Sequence, residues 1–177
     1  MCYSYAIRII AAEDEKAGNC TVKVPEVASN IEIGKAEVLE SGKLGAIWAI
    51  GDFVKVAIQL NSRFLMEFGV GFTIVNARFI KPLDTHLLSN HAEDFDHIFT
   101  LEDGVLKGGF GSAILEYLSD TGGRSTITRF GWPDEFIPHG SSVSQLRKEF
   151  KLDEDSLYSA IYKKLQSLLK NKKLLAS

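Results

Sequence analysis

Few side chains in this 177-residue sequence are placed to do chemistry, and the first of them lie in Asn76-Ala77-Arg78-Phe79-Ile80-Lys81-Pro82-Leu83-Asp84. This segment follows an apolar run of strand length, so Arg78 falls at the carboxyl end of a strand, the edge where open α/β sheets bind ligands. A guanidinium there can hold a phosphate through two parallel N–H donors, and Lys81 would add a point charge. The same arginine can equally pair with a carboxylate at the sheet rim, and spacing alone leaves both open. Glu102-Asp103 follows another strand-like run. Paired acids can divide into acid and base only if they share a site, and neighbours on an extended chain point in opposite directions, so a loop or interface role is expected. Gly108-Gly109-Phe110-Gly111-Ser112 leads into a helical pattern, where backbone N–H groups can cradle an anion. The dinucleotide fingerprint wants a small residue where Ile114 stands and a turn directly after the strand, whereas Glu102–Lys107 intervenes. A tight, closely packed turn is therefore expected. His139, between Pro138 and Gly140, is a candidate acid–base or anion contact, but no GxSxG elbow supplies a nucleophile for it. His86, His91 and His97 lack metal-ligand spacing and read as surface or helix-end residues.

The elements that must position these groups alternate. Leu44–Ile50, Phe72–Ala77 and His97–Leu101 are apolar and β-branched, and Thr126–Phe130 is shorter and alternating. Asp52 can cap a helix through Val54, Ile58, Leu65 and Phe68 that stops at Gly69, and Asp84 can open a second through Leu87 and Leu88. Ser112–Leu118 reads as a third, ended by Gly122-Gly123. Alternation of this kind predicts βαβ units: an α/β three-layer sandwich with a mostly parallel sheet and helices on both faces. Ala36–Glu40, joined to the first strong strand by Ser41-Gly42-Lys43, is expected to form a hairpin and give an antiparallel edge strand. Two closing helices, Val143–Phe150 and Asp153–Leu169, follow a loop marked by Pro133 and Pro138. The last carries a core-facing stripe of Leu157, Ile161, Leu165 and Leu168. Residues 1–30 read differently: Tyr5–Ile10 is strand-like, but Glu13–Asn19 has no period, as in the end of a preceding domain and a linker.

Composition narrows the function classes. A hydrophobic fraction of 45% supports a real core, and a net charge of −3 lacks the basic stripe that nucleic-acid binding needs. The lysines from Lys163 to Lys173 read as a solvated helix face. Cys2 and Cys20 have no zinc-ligand spacing, no apolar run reaches the roughly twenty residues of a membrane span, and Met1–Ile10 lacks the order of a signal peptide. A cytoplasmic setting is the resulting expectation.

Four segments in order resemble one family. Ile33-Gly34-Lys35-Ala36-Glu37-Val38-Leu39, then NARFIKPLD from Asn76 to Asp84, TLEDGVLKGGFGS from Thr100 to Ser112, and GWPDEFIPHG from Gly131 to Gly140 closely resemble the carboxy-terminal domain of 1-deoxy-D-xylulose-5-phosphate synthases. The resemblance runs from about Ile31 to Leu169, which makes residues 31–177 a transketolase C-terminal-like domain and residues 1–30 a remnant of the preceding pyrimidine-binding domain. It implies a thiamine-diphosphate and Mg²⁺ enzyme that condenses pyruvate with glyceraldehyde 3-phosphate, releasing carbon dioxide, for isoprenoid, thiamine and pyridoxal biosynthesis. In that family the cofactor is held by preceding domains, through a GDG…N motif and a glutamate, so this chain is expected to bind none alone and to need those domains or a partner subunit. Homo-oligomers are expected from the same resemblance. Arg78 matches the family's phosphate-binding arginine. Arg8, in Ala6-Ile7-Arg8-Ile9-Ile10-Ala11-Ala12, matches a second one in AIRYPRG, although the residues after it depart from the family. Alternatives within the superfamily are the closing domain of a split transketolase or of a 2-oxoacid dehydrogenase decarboxylase beta subunit. Outside catalysis, the alternative is an assembly or regulatory module.

Overall fold

The computed structural model describes residues 10–12, 21–23, 32–137 and 140–175. Two short strands, β1 (Ile10–Ala12) and β2 (Thr21–Lys23), pair antiparallel with each other. The main sheet is built from β3 (Glu37–Glu40), β4 (Ala46–Ala49), β5 (Thr73–Asn76), β6 (His97–Val105) and β7 (Thr126–Trp132), in the order β3-β5-β4-β6-β7. Every neighbouring pair is parallel except β3 with β5. Helices α1 (Phe53–Phe68), α2 (Thr85–Asp94), α3 (Phe110–Thr121), α4 (Val143–Glu149) and α5 (Glu154–Leu175) complete the chain. The expected α/β sandwich, mostly parallel with an antiparallel edge strand, is the fold observed.

The central strand shows why both faces are covered. All four residues of β4 are buried: Ile47 and Ala49 point to a core shared with α1 and α5, Ala46 and Trp48 to one shared with α2 and α3. A strand buried on both sides reads as a continuous apolar run, which is how Leu44–Ile50 announces itself. On the first face Phe53, Ala57, Leu60 and Phe64 of α1 meet Leu157, Tyr158 and Ile161 of α5. Of the expected α5 stripe, Leu165 packs at the margin of this core, and the side chain of Leu168 lies outside the described residues. On the second face Leu88 of α2 and Phe110, Ile114 and Leu118 of α3 close the layer. Each fully buried large side chain of this kind stabilises the fold by about 1.5–3 kcal/mol.

Most helix ends carry the expected signals, although α3 starts at Phe110, two residues before Ser112, and α5 runs past Leu169 to Leu175. Gly69 and Gly122 close α1 and α3 in the left-handed conformation, and Asp84 caps α2 by accepting from Leu87 N at 3.1 Å. Ser142 and Gln145 form a reciprocal capping box on α4. Asp52 stands at the start of α1 but makes no side-chain cap bond.

The expected hairpin does not form. β3 pairs with β5, with Glu37 opposite Asn76, rather than with the adjacent β4. The Ser41-Gly42-Lys43 connection crosses the start of β5: Lys43 N and Leu44 N both donate to Gly71 O, and Thr73 Oγ1 bonds Gly42. Gly42 lies so close to the Gly71 and Phe72 backbone that a Cβ would overlap it. β4 needs both of its edges for parallel partners β5 and β6, so the antiparallel strand is displaced to the rim. Strand β6 also runs on to Val105, past the expected end at Leu101, through a register irregularity opposite β7. Glu102 to Val105 are therefore strand, and the glycine turn follows almost directly.

Candidate functional site

The carboxyl end of β5 builds the main candidate site. Ala77 N continues the sheet by donating to Ala49 O, and the chain then turns sharply, with Phe79 N donating to Ala77 O. Arg78 occupies the turn in the left-handed region at φ 56, its own N–H held by Asn76 Oδ1 at 3.1 Å. A non-glycine residue in that region costs about 1–2 kcal/mol, so the surrounding bonds must hold Arg78 there. They do so from two sides. Asp84, buried, accepts from Leu87 N with one carboxylate oxygen and from Ala36 N with the other, at 3.0 Å. Gly34, at φ 76, lets the chain pass against Pro82, where a Cβ would press into the ring.

The Arg78 side chain is mostly buried and reaches Glu37, its Nη2 donating to Oε2 at 2.5 Å. Of the two fates that spacing leaves open, the structure shows the pair with a rim carboxylate. Lys81, three residues on, is solvent-exposed and joined to Pro82 by a cis peptide. It does not join the Arg78–Glu37 pair. Arg8 and His139 lie outside the described residues. Glu37 is the residue that sequence reasoning missed. Its signal was the register of β3, which the hairpin expectation set against the wrong strand.

The glycine turn forms a second cluster, and its anion cradle is already filled. Glu102, buried, accepts from Phe110 N at 2.6 Å and Gly111 N at 2.9 Å, the first free amides of α3. Burial pushes its carboxyl up, while the two amides and Arg129 pull the other way. A Cβ at Gly109 would overlap this carboxylate and the Val105 carbonyl. Ser112 Oγ, Arg129 Nη1 and the Leu106 carbonyl close the rest of the turn on each other. The tight turn expected from the glycines is present, and the chain's own carboxylate stands where a phosphate would sit. Asp103 points the other way, as neighbours on a strand must, accepting from Trp132 Nε1 and pairing with Arg147 at 3.3 Å.

Of the histidines expected at the surface or at helix ends, His91 lies in the last turn of α2 but is buried, and His97 is buried at the start of β6. His91 Nδ1 accepts from Trp48 Nε1 at 3.1 Å, and burial pushes its pKa down against the pull of Asp94 and Asp84. His97 Nε2 lies 2.9 Å from Thr128 Oγ1, and burial, with Lys164 adding to it, pushes its pKa down to about 4. Both serve the core: His91 satisfies an indole that would otherwise be stranded, and His97 starts a buried strand.

Among the described residues no group of three or more His, Cys, Asp or Glu side chains could hold a metal ion. Gly51-Asp52 precedes α1 and is followed by the buried Phe53 rather than by the second glycine of a GDG sequence. Among the same residues no helix is long and apolar enough to cross a membrane.

A parallel sheet with an antiparallel rim strand, helices on both faces and a basic turn at its carboxyl edge defines an α/β domain of the transketolase type. The chain belongs to the transketolase C-terminal domain family, which matches residues 34–157. Among curated proteins it is similar to the 1-deoxy-D-xylulose-5-phosphate synthases of Bacteroides fragilis (41% identical over 133 residues, 75% of this chain and 20% of that protein) and Acidobacterium capsulatum (39% over 139 residues, 78% and 21%). It is also similar to that of Clostridium beijerinckii (36% over 154 residues, 87% and 24%). The chain thus spans about a fifth of the length of these relatives. Among solved structures it is similar to a split gene transketolase, described as an inactive beta4 tetramer, with a TM-score of 0.67 and 29% identity over 77% of this chain and 44% of that one. The resemblance read from the four ordered motifs is thereby borne out.

Proposed function

We propose that this chain is the closing, acceptor-side domain of a thiamine-diphosphate-dependent 1-deoxy-D-xylulose-5-phosphate synthase. In this role it presents Arg78 to the phosphate of glyceraldehyde 3-phosphate while pyruvate is activated elsewhere. The observation that carries this is the match to such synthases over a span that includes Arg78, combined with the placement of Arg78 on the ligand-binding edge of the sheet. The guanidinium has the geometry to bind a phosphate through two donors once it turns from Glu37. Residues 1–30, with Arg8, are the end of the preceding pyrimidine-binding domain in this assignment, and Lys81 and His139 are secondary contacts. In this reading thiamine diphosphate and Mg²⁺ are held by partner domains, as the likeness to the synthases suggests, and no step through them is assigned to this chain.

The test is Arg78→Ala in enzyme reassembled from this chain and cofactor-binding domains. Loss of charge-assisted bonds to the phosphate raises KM for glyceraldehyde 3-phosphate about ten- to a hundredfold, with KM for pyruvate unchanged. An unaltered KM for the aldehyde contradicts the assignment. A second possibility, a separately encoded subunit, is supported by the likeness to a split gene transketolase.

A further inference from the structure

Glu37, which holds Arg78, has no role in the function proposed above, yet its position is built with care. The chain just before it is pinned by the Ala36 N–H to Asp84, and Glu37 itself stands opposite Asn76 in the antiparallel register. Asp84 closes the same loop that Asn76 opens, and Gly34 packs on Pro82 within it. The start of β3 and the Arg78 turn are therefore one locked unit, and the carboxylate is delivered to the guanidinium at a fixed place. The pair is lopsided. The Arg78 side chain is 20% exposed and that of Glu37 is 43% exposed, with a single guanidinium nitrogen engaged among the described residues. A half-exposed carboxylate can swing to water, whereas the less exposed Arg78 side chain loses more by being left without an anion.

We infer that Glu37 is a displaceable counter-ion for Arg78: a positioning residue that keeps the guanidinium paired and oriented until a dianionic phosphate replaces it, and so selects against uncharged acceptors. This role rests on Arg78 taking the acceptor's phosphate. A neutral acceptor offers the guanidinium no replacement charge and leaves the pair closed, while a phosphate competes with the carboxylate and is repelled by it until it moves away. The wild-type pair thus gives up affinity in exchange for selectivity and ready release.

The experiment is an NMR titration of the full chain with inorganic phosphate at constant ionic strength, following the backbone amides of Ala77 to Lys81. Glu37→Gln keeps an acceptor oxygen for orientation but removes the competing charge. It is expected to tighten phosphate binding about fivefold, the worth of a half-exposed ion pair. Arg78→Ala is expected to abolish the response. If Arg78→Ala abolishes it but Glu37→Gln leaves the Kd unchanged or weaker, the counter-ion role is overturned and the phosphate role of Arg78 stands. If Arg78→Ala titrates like wild type, or neither wild type nor Glu37→Gln responds, the phosphate role fails as well.

Discussion

At the scale of single residues, the groups with the most perturbed environments are structural. His97 is buried, with one ring nitrogen at Thr128 and the other without a hydrogen-bond partner, and its pKa is held down to about 4. In the unfolded chain it titrates near its ordinary value of about 6.5. Between these values the unfolded chain binds more protons, so the stability contributed by neutral His97 is complete above about pH 6.5 and is lost as pH falls toward 4. Urea unfolding should show about 2 kcal/mol lost to this residue between pH 7 and pH 5. His97→Gln should flatten that slope, leaving the smaller share that His91 adds in the same direction. An equally steep slope in His97→Gln would show that the imidazole is not the titrating group. Neither histidine was recognisable as a core residue from spacing, because a histidine's burial depends on which partner the fold brings to it. For His91 that partner is Trp48, 43 residues away in sequence.

At the scale of elements, the start of α3 shows how one side chain joins a strand to a helix. Glu102 stands on the face of β6 that carries Thr100, and from there its carboxylate meets two amides of α3. Strand alternation places Glu102 on that face once β6 is known to continue past Leu101. Ending the strand at Leu101 hid it. Glu102→Ala strands both amides in a buried setting and should cost about 2–4 kcal/mol in denaturant unfolding, with Glu102→Gln costing roughly half of that. A loss below about 0.5 kcal/mol for the alanine variant would mean that α3 is held by its apolar face alone. The rim strand β3 shows the opposite dependence. Its existence and antiparallel sense were readable from Ala36–Glu40, but its partner was set by competition for the edges of β4, which a local turn signal cannot report.

At the scale of the whole molecule, the domain is a mixed sheet between helical layers, with the Arg78–Glu37 pair at the carboxyl end of β5. Supplied with thiamine diphosphate, Mg²⁺, pyruvate and glyceraldehyde 3-phosphate, the purified chain is expected to give no product, because it spans only about a fifth of the length of the synthases it matches. Product formed by the chain alone, measured by carbon dioxide release, would overturn its assignment as the acceptor-side domain. Recovery of turnover on adding the cofactor-binding domains would support it.

The fold class, the order of strands and helices along the chain and the family were legible in the amino acids alone. Buried parallel strands, capped helices and ordered motifs are local patterns, and hydrophobic burial leaves them written along the chain. That Arg78 meets Glu37, that Glu102 fills the glycine turn and that His91 and His97 belong to the core emerges from the folded arrangement. Apart from Glu102, whose partners are eight and nine residues on, each of these depends on residues far apart along the chain: 41 for Arg78 and Glu37, 43 for Trp48 and His91. Such pairs are fixed by strand order and register, which arise from the competition of whole elements for places in the sheet.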